Sequence, residues 1–329
     1  MADYLVDKIK RNTYLLFLFK MVALFAIVFT LDYSIGNILS FFYFKQDSGM
    51  QYRTTYSLEK ITADIIILGS SRANHNYRPD IFEKRLNLSV YNAGRDGNYI
   101  FYHYAILTGV LKRYTPKIII LDFDPGEFSK TQLSYDRISS LLPYYERHPE
   151  IRAIIELKSP YERIKLLSSI YPYNSSIFSI AIGNTELNKK RWLDIKGYLP
   201  LTKTWNGSIQ IDSSSIDHAL DSTKVKVYES FIQDCLISKV KLYIVCSPCF
   251  IKSNQTDYSV TLGRDIAKRN YVKFFDFSKD SVLINNPKLF ADILHLNDEG
   301  AKVFSNILLD SIGKTIGTYT KNKTNLEKN

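Results

Sequence analysis

Two short stretches of this 329-residue chain carry the residue types of acyl-transfer chemistry. One is Gly69-Ser70-Ser71-Arg72, where the apolar run of "DIIILG" stops abruptly; the other is Asp292-x-x-His295, in "FADILHLNDEG". A serine nucleophile needs a base within hydrogen-bond reach, a group that orients the base, and donors for the oxyanion. His295 is the base candidate among five histidines. Its spacing from Asp292 on one loop lets the carboxylate reach imidazole Nδ1 while Nε2 points toward a nucleophile. Asn297 or Asp298 can cap the helix that follows and steady the loop. Turn chemistry is the competing reading of Gly-Ser-Ser, and a helix-start network that of Asp-x-x-His. Arg72 is a candidate clamp for a substrate carboxylate or phosphate, or a partner for Asp96. His75 and His103 have no such companions and read as structural.

The elements that would position these residues alternate along the chain. Apolar, β-branched runs at Asp64–Gly69, Leu88–Gly94, Pro116–Asp124, Val240–Val245 and Val272–Phe277 predict strands. Helical spacing separates them, at Arg78–Asn87, Tyr99–Tyr114, Thr223–Ser238 and Val260–Arg269, and a last helix begins at Asp298. This order predicts an α/β, doubly wound, mostly parallel, flavodoxin-like sheet over about 58–317, with an insertion at about 128–222. Ligands of such sheets bind outside the carboxyl ends of the strands. The loops at Gly69–Arg72, Asn92–Gly97 and Asp122–Glu127 would therefore share one crevice. The Tyr-rich insertion is either a sugar-stacking wall or its own core. The tail 318–329 has almost no apolar residues and is expected to be disordered.

Gly69-Ser70-Ser71 after the first strand, "NAG" (Asn92–Gly94) after the second, and Asp292-x-x-His295 before the last helix together resemble the SGNH (GDSL-type) hydrolase superfamily. The similarity is to its membrane-anchored branch of bacterial cell-surface polysaccharide O-acetyltransferases and esterases. The resemblance implies Ser71 as nucleophile, His295 as base, Asp292 as orienter, and Gly94 as an oxyanion donor through its backbone N–H. The asparagine of the family's third block is not matched. "DFDPGEF" stands there, with Asp124, Gly126 or Glu127 near the place, and Asn74, Asn92 or Asn98 are the nearest substitutes. Asn92 and Arg72 are thus the candidates for substrate contact. The implied activity is that of an extracytoplasmic serine esterase or O-acyl(acetyl)transferase on a cell-envelope polysaccharide, with no cofactor or metal. Transfer would need a membrane partner that exports the acyl group. A catalytically inactive glycan-binding or scaffold protein is the alternative.

The N-terminus fits a membrane protein. "YLLFLFKMVALFAIVFTL" (Tyr14–Leu31) has nearly the ~20 residues of a spanning helix, and Lys20 can snorkel to the nearer headgroups. Lys8, Lys10 and Arg11 precede it and Asp32 follows. The positive-inside rule then keeps residues 1–13 in the cytoplasm, makes 14–35 a single-pass signal anchor of the bacterial inner membrane, and exposes the rest outside. Residues 36–57 read as a connector. A cleavable signal peptide and a buried helix are the competing readings. A net charge of +10 suits anionic lipid or acidic glycan, and no nucleic-acid motif is present. Cys246 and Cys249 read as a strand end rather than a zinc or redox pair.

Overall fold

The structure, a computed structural model, describes residues 2–185, 194–206, 219–250 and 258–326. Parts of the insertion (186–193, 207–218) and the last three residues of the expected tail lie outside the described residues. The five apolar runs become strands β1 (Ile65–Leu68), β2 (Val90–Asn92), β3 (Ile118–Asp122), β4 (Lys241–Cys246) and β5 (Lys273–Asp276). All pair in parallel, in the order β2-β1-β3-β4-β5, with Ile65 opposite both Val90 and Ile118. Chain order reverses between β1 and β3, which makes the ends of those strands the natural place for a ligand.

Every residue of β1 is buried, because helices cover both faces. Ile66, Leu68, Ile119 and Leu121 pack toward α5 (Ile100–Arg113), α6 (Ser222–Ile237) and α7 (Tyr258–Arg269). Ile65, Ile67, Ile120 and Val245 pack toward α4 (Pro79–Leu86) and α8 (Asp298–Leu326). This is the α/β architecture expected from the alternating pattern.

One expectation meets a different structure. The connector at 36–57 is helical: α1 runs from Ala2 to Lys45, and α2 spans Gly49–Glu59. The buried side of α2 includes Arg53, Thr54, Thr55 and Ser57, so it carries no apolar stripe that a sequence pattern could reveal. In the insertion, Tyr144, Tyr173 and Tyr198 are buried, with Tyr43 against Tyr144 and Tyr173. These rings form core rather than a wall for sugars.

α1 is 44 residues, or about 66 Å at the usual rise. Its segment Thr13–Lys45 has a mean hydropathy of 2.4 in its most apolar window, none of which is buried. It is long and apolar enough to cross a membrane.

Candidate active site

β1 delivers the serine by a turn that only glycine can make. Gly69 sits at φ +149°, and a Cβ there would lie 2.7 Å from Ala73 Cβ and 2.9 Å from Asp122 Cβ. Ser70 then ends the extended backbone, and Ser71 begins the short helix α3 (Ser71–Asn76). As the first helical residue, Ser71 has a backbone N–H with no partner inside the helix. Asn92 locks α3 in place from the end of β2. Its Nδ2 donates to Ala73 O (2.7 Å) and Tyr77 O (3.1 Å), while its Oδ1 accepts from Gly94 N (3.0 Å).

The base arrives on the loop before α8. Asn297 caps that helix through Gly300 N (3.0 Å), and Leu296 N donates to Asn76 Oδ1 (3.0 Å), joining the loop to α3. Asp292 accepts from Leu294 N (2.8 Å) and His295 N (3.0 Å), and both of its oxygens face His295 Nδ1, at 2.9 and 3.0 Å. Nδ1–H must therefore donate to the carboxylate, which leaves Nε2 as the acceptor. Ser71 Oγ lies 2.7 Å from Nε2 and donates to it. Partial burial pushes the Asp292 carboxyl up, but the His295 hydrogen bond and the backbone N–H groups outweigh it and hold it at about 2. The carboxylate is ionised wherever the protein is folded at ordinary pH. Serine, imidazole and carboxylate form one hydrogen-bonded chain.

Three other candidate residues are placed differently. Arg72 is 2 % exposed and points beneath the sheet end. It donates to Phe123 O (2.8 Å) and pairs with Asp122 at 3.5 Å, not with Asp96, so it holds no substrate. Asp122 also accepts from Tyr77 Oη (3.0 Å) and from Ser247 N (3.0 Å) and Oγ (3.1 Å). Asn92 is wholly buried and positions α3 instead of touching a ligand. The Gly94 N–H expected at the oxyanion is engaged by Asn92. Gly94 is required for another reason: a Cβ would stand 2.5 Å from Asn74 N, where α3 presses on the loop.

The third loop holds no donor in place of the unmatched asparagine. Asp124 accepts from its own turn at Gly126 N (2.9 Å), and buried Glu127 accepts from Ile100 N at the start of α5 (2.8 Å). Burial pushes the Glu127 carboxyl up to about 7 from the ordinary 4.5, against the pull of Lys224. The folded protein thus binds this proton more tightly than the unfolded chain. Its contribution is fully present below about pH 4.5 and is lost as pH rises through 7. Glu127→Gln should match wild type in thermal unfolding near pH 4 and be the more stable by about 3 kcal/mol near pH 8. Equal pH dependence in the two proteins would contradict this placement.

His75, which reads as structural in the sequence, stands beside the site. It lies one helical turn after Ser71, and its ring meets His295 edge-on at 5.3 Å between centroids. Nδ1 donates to Leu199 O (2.7 Å), on a strap formed by residues 194–206 at the end of the insertion. The strap is also tied to the loop before α8, through Asp298 N to Leu201 O (2.8 Å). Its i, i+4 spacing from Ser71 brings it there because α3 is helical. Asn74 and Asn98 both turn to Asp96, through its side chain and its carbonyl respectively. His103 is buried in α5, away from these bonds.

No family model and no curated protein matches the chain. Among solved structures it is similar to an acetyl xylan esterase, at 15% identity and a TM-score of 0.39, over 75% of this chain and 99% of that one. An acylhydrolase from Bacteroides fragilis is similar at 14% identity and 0.41, over 82% and 99% of the two chains. A gut microbial diltiazem-metabolizing enzyme is similar at 13% identity and 0.31, over 76% of this chain and 46% of that one. These are likenesses in outline, and the chemistry of the site has to come from its own atoms. The parallel sheet, with the serine after β1 and Asp-x-x-His before α8, is the doubly wound α/β arrangement expected from the sequence.

Proposed function

We propose that the protein is a serine esterase or O-acyltransferase of the cell envelope, using Ser71, His295 and Asp292. The observation that carries this reading is the continuous hydrogen-bonded chain from Ser71 Oγ through His295 to Asp292. His295 Nε2 takes the Ser71 proton as Oγ attacks an ester carbonyl, and Asp292 stabilises the imidazolium that forms. The tetrahedral oxyanion meets the N–H of Ser71. His295 then returns the proton to the departing alcohol, leaving an acyl group on Ser71. A second alcohol or water, deprotonated by His295, takes that acyl group and restores the serine. The substrate proposed is an O-acylated sugar of a surface polysaccharide, on the side of the membrane opposite residues 1–13. Transfer would draw its acyl group from a membrane partner.

The engaged Gly94 N–H favours a second reading, a catalytically inactive glycan-binding or scaffold protein, because it leaves the oxyanion fewer donors. Turnover separates the two. Asp292→Asn keeps the turn but loses the charge and favours the wrong tautomer. The Asp292 side chain is 49% exposed, so solvent screens part of its effect. The expected loss in acetate release from an acetylated sugar is roughly tenfold to a thousandfold, below the ~10⁴ of a fully buried triad carboxylate. Asp280→Asn, at a remote helix cap where the amide serves equally well, should lose nothing. Equal small effects from both, or no turnover by wild type, would favour the scaffold.

A further inference from the structure

The place where α1 meets the rest of the protein is set by Asp32, the first charged residue after the charge-free, largely apolar run Met21–Leu31. Asp32 accepts from Ser168 Oγ (2.6 Å), Ser169 N (2.6 Å) and Ile170 N (3.4 Å). One turn later, Gly36 lets the helix lie directly on that segment, since a Cβ there would stand 2.4 Å from Ser169 Cβ. Residues 168–170 therefore sit at the level where the apolar run ends.

The chain just before them carries an apolar face. Ile164 N bonds to Tyr161 O (3.0 Å) and Leu167 N to Ile164 O (3.2 Å). Successive three-residue turns of this kind bring side chains at i and i+3 onto one side. Tyr161, Ile164 and Leu167 are 65%, 66% and 79% exposed. Arg163 and Lys165 flank them, paired with Glu156 (2.7 Å) and Glu162 (3.2 Å). An exposed aromatic and two exposed aliphatics beside the end of a membrane span match the boundary between headgroups and acyl chains, where Tyr and apolar side chains are favoured.

We propose that the Tyr161–Leu167 face is embedded in the surface of the same bilayer that α1 crosses. The occupant is lipid. α1 is then a rigid post rather than a tether, and the insertion is a foot that fixes the height and tilt of Ser71 above the membrane. The proposal rests on reading α1 as a membrane span, and its test separates the two.

The full chain is reconstituted in vesicles containing phospholipids brominated at shallow or deep acyl positions, and tryptophan emission is read. Wild type, with two native tryptophans, sets the baseline. Phe25→Trp reports the span, Ile164→Trp and Leu167→Trp report the foot, and Tyr271→Trp, at a position 97% exposed after α7, reports bulk water. The proposal expects Ile164→Trp and Leu167→Trp to emit to the blue of Tyr271→Trp and to lose emission most with shallow bromines, and Phe25→Trp with deep ones. Quenching of Phe25→Trp without quenching at 164 and 167 would overturn the foot and leave the span standing. A blue shift at 164 and 167 without quenching would mean that protein, not lipid, covers the face, and would also overturn it. Absence of quenching at Phe25→Trp would sink both readings.

Discussion

Ser71→Ala should reduce the release of acetate from a chromogenic ester by roughly 10⁴- to 10⁶-fold, the scale seen when a triad serine is removed. Ser71 sits on the surface side of α3, half-buried, with its hydroxyl committed to His295. Removing one hydroxyl there takes away little packing, so the unfolding transition should stay where it is in wild type. The loss is then one of chemistry. His295→Ala should fall on the same scale without adding to it in the double variant, because neither group acts alone. Turnover by Ser71→Ala near the wild-type rate would place the nucleophile elsewhere.

The largest effect on stability is expected from Arg72. Its side chain is 3% exposed, that of its partner Asp122 1%, and the pair closes the carboxyl end of β3 beneath the site. Burial pushes the Asp122 carboxyl up, while Arg72, Ser247 and Tyr77 oppose that push. Arg72→Met deletes the buried cation and strands the carboxylate, which should lower the unfolding free energy by about 3–5 kcal/mol. The double variant Arg72→Met, Asp122→Asn leaves no stranded charge. It should cost less than the sum of the single changes, since the two groups are in contact. Urea unfolding of the detergent-solubilised chain at neutral pH measures all three. A loss below about 1 kcal/mol for Arg72→Met would show that water or another cation serves Asp122.

These residues also show where the sequence was legible. The five strands were readable because each is a short apolar run, the first four largely buried on both faces and β5 half-buried, and their alternation with helices left one sheet type. Asp292 and His295 were readable because their partnership is local, made within a single turn. Ser71 and His295 are 224 positions apart, so only the topology could bring them together. Helix α3 was not readable, since Ser71–Asn76 has no apolar period and is buried through Arg72, Asn74, His75 and Asn76. The same gap misplaced Arg72 and Asn92. Charged and amide side chains suggest a surface or a ligand, and their burial depends on partners contributed by other elements. α2 was missed for a like reason, its inner side being largely polar.

If Ser71 is a nucleophile activated by His295, it reacts with an electrophilic phosphonate only while the imidazole is present. The most direct measurement is covalent labelling of the full chain with a fluorophosphonate, followed by peptide mass mapping. A single phosphonylated peptide containing Ser71 is expected, with no adduct in His295→Ala at the same exposure. Labelling at another serine, or equal labelling of Ser71 with and without the imidazole, would contradict it.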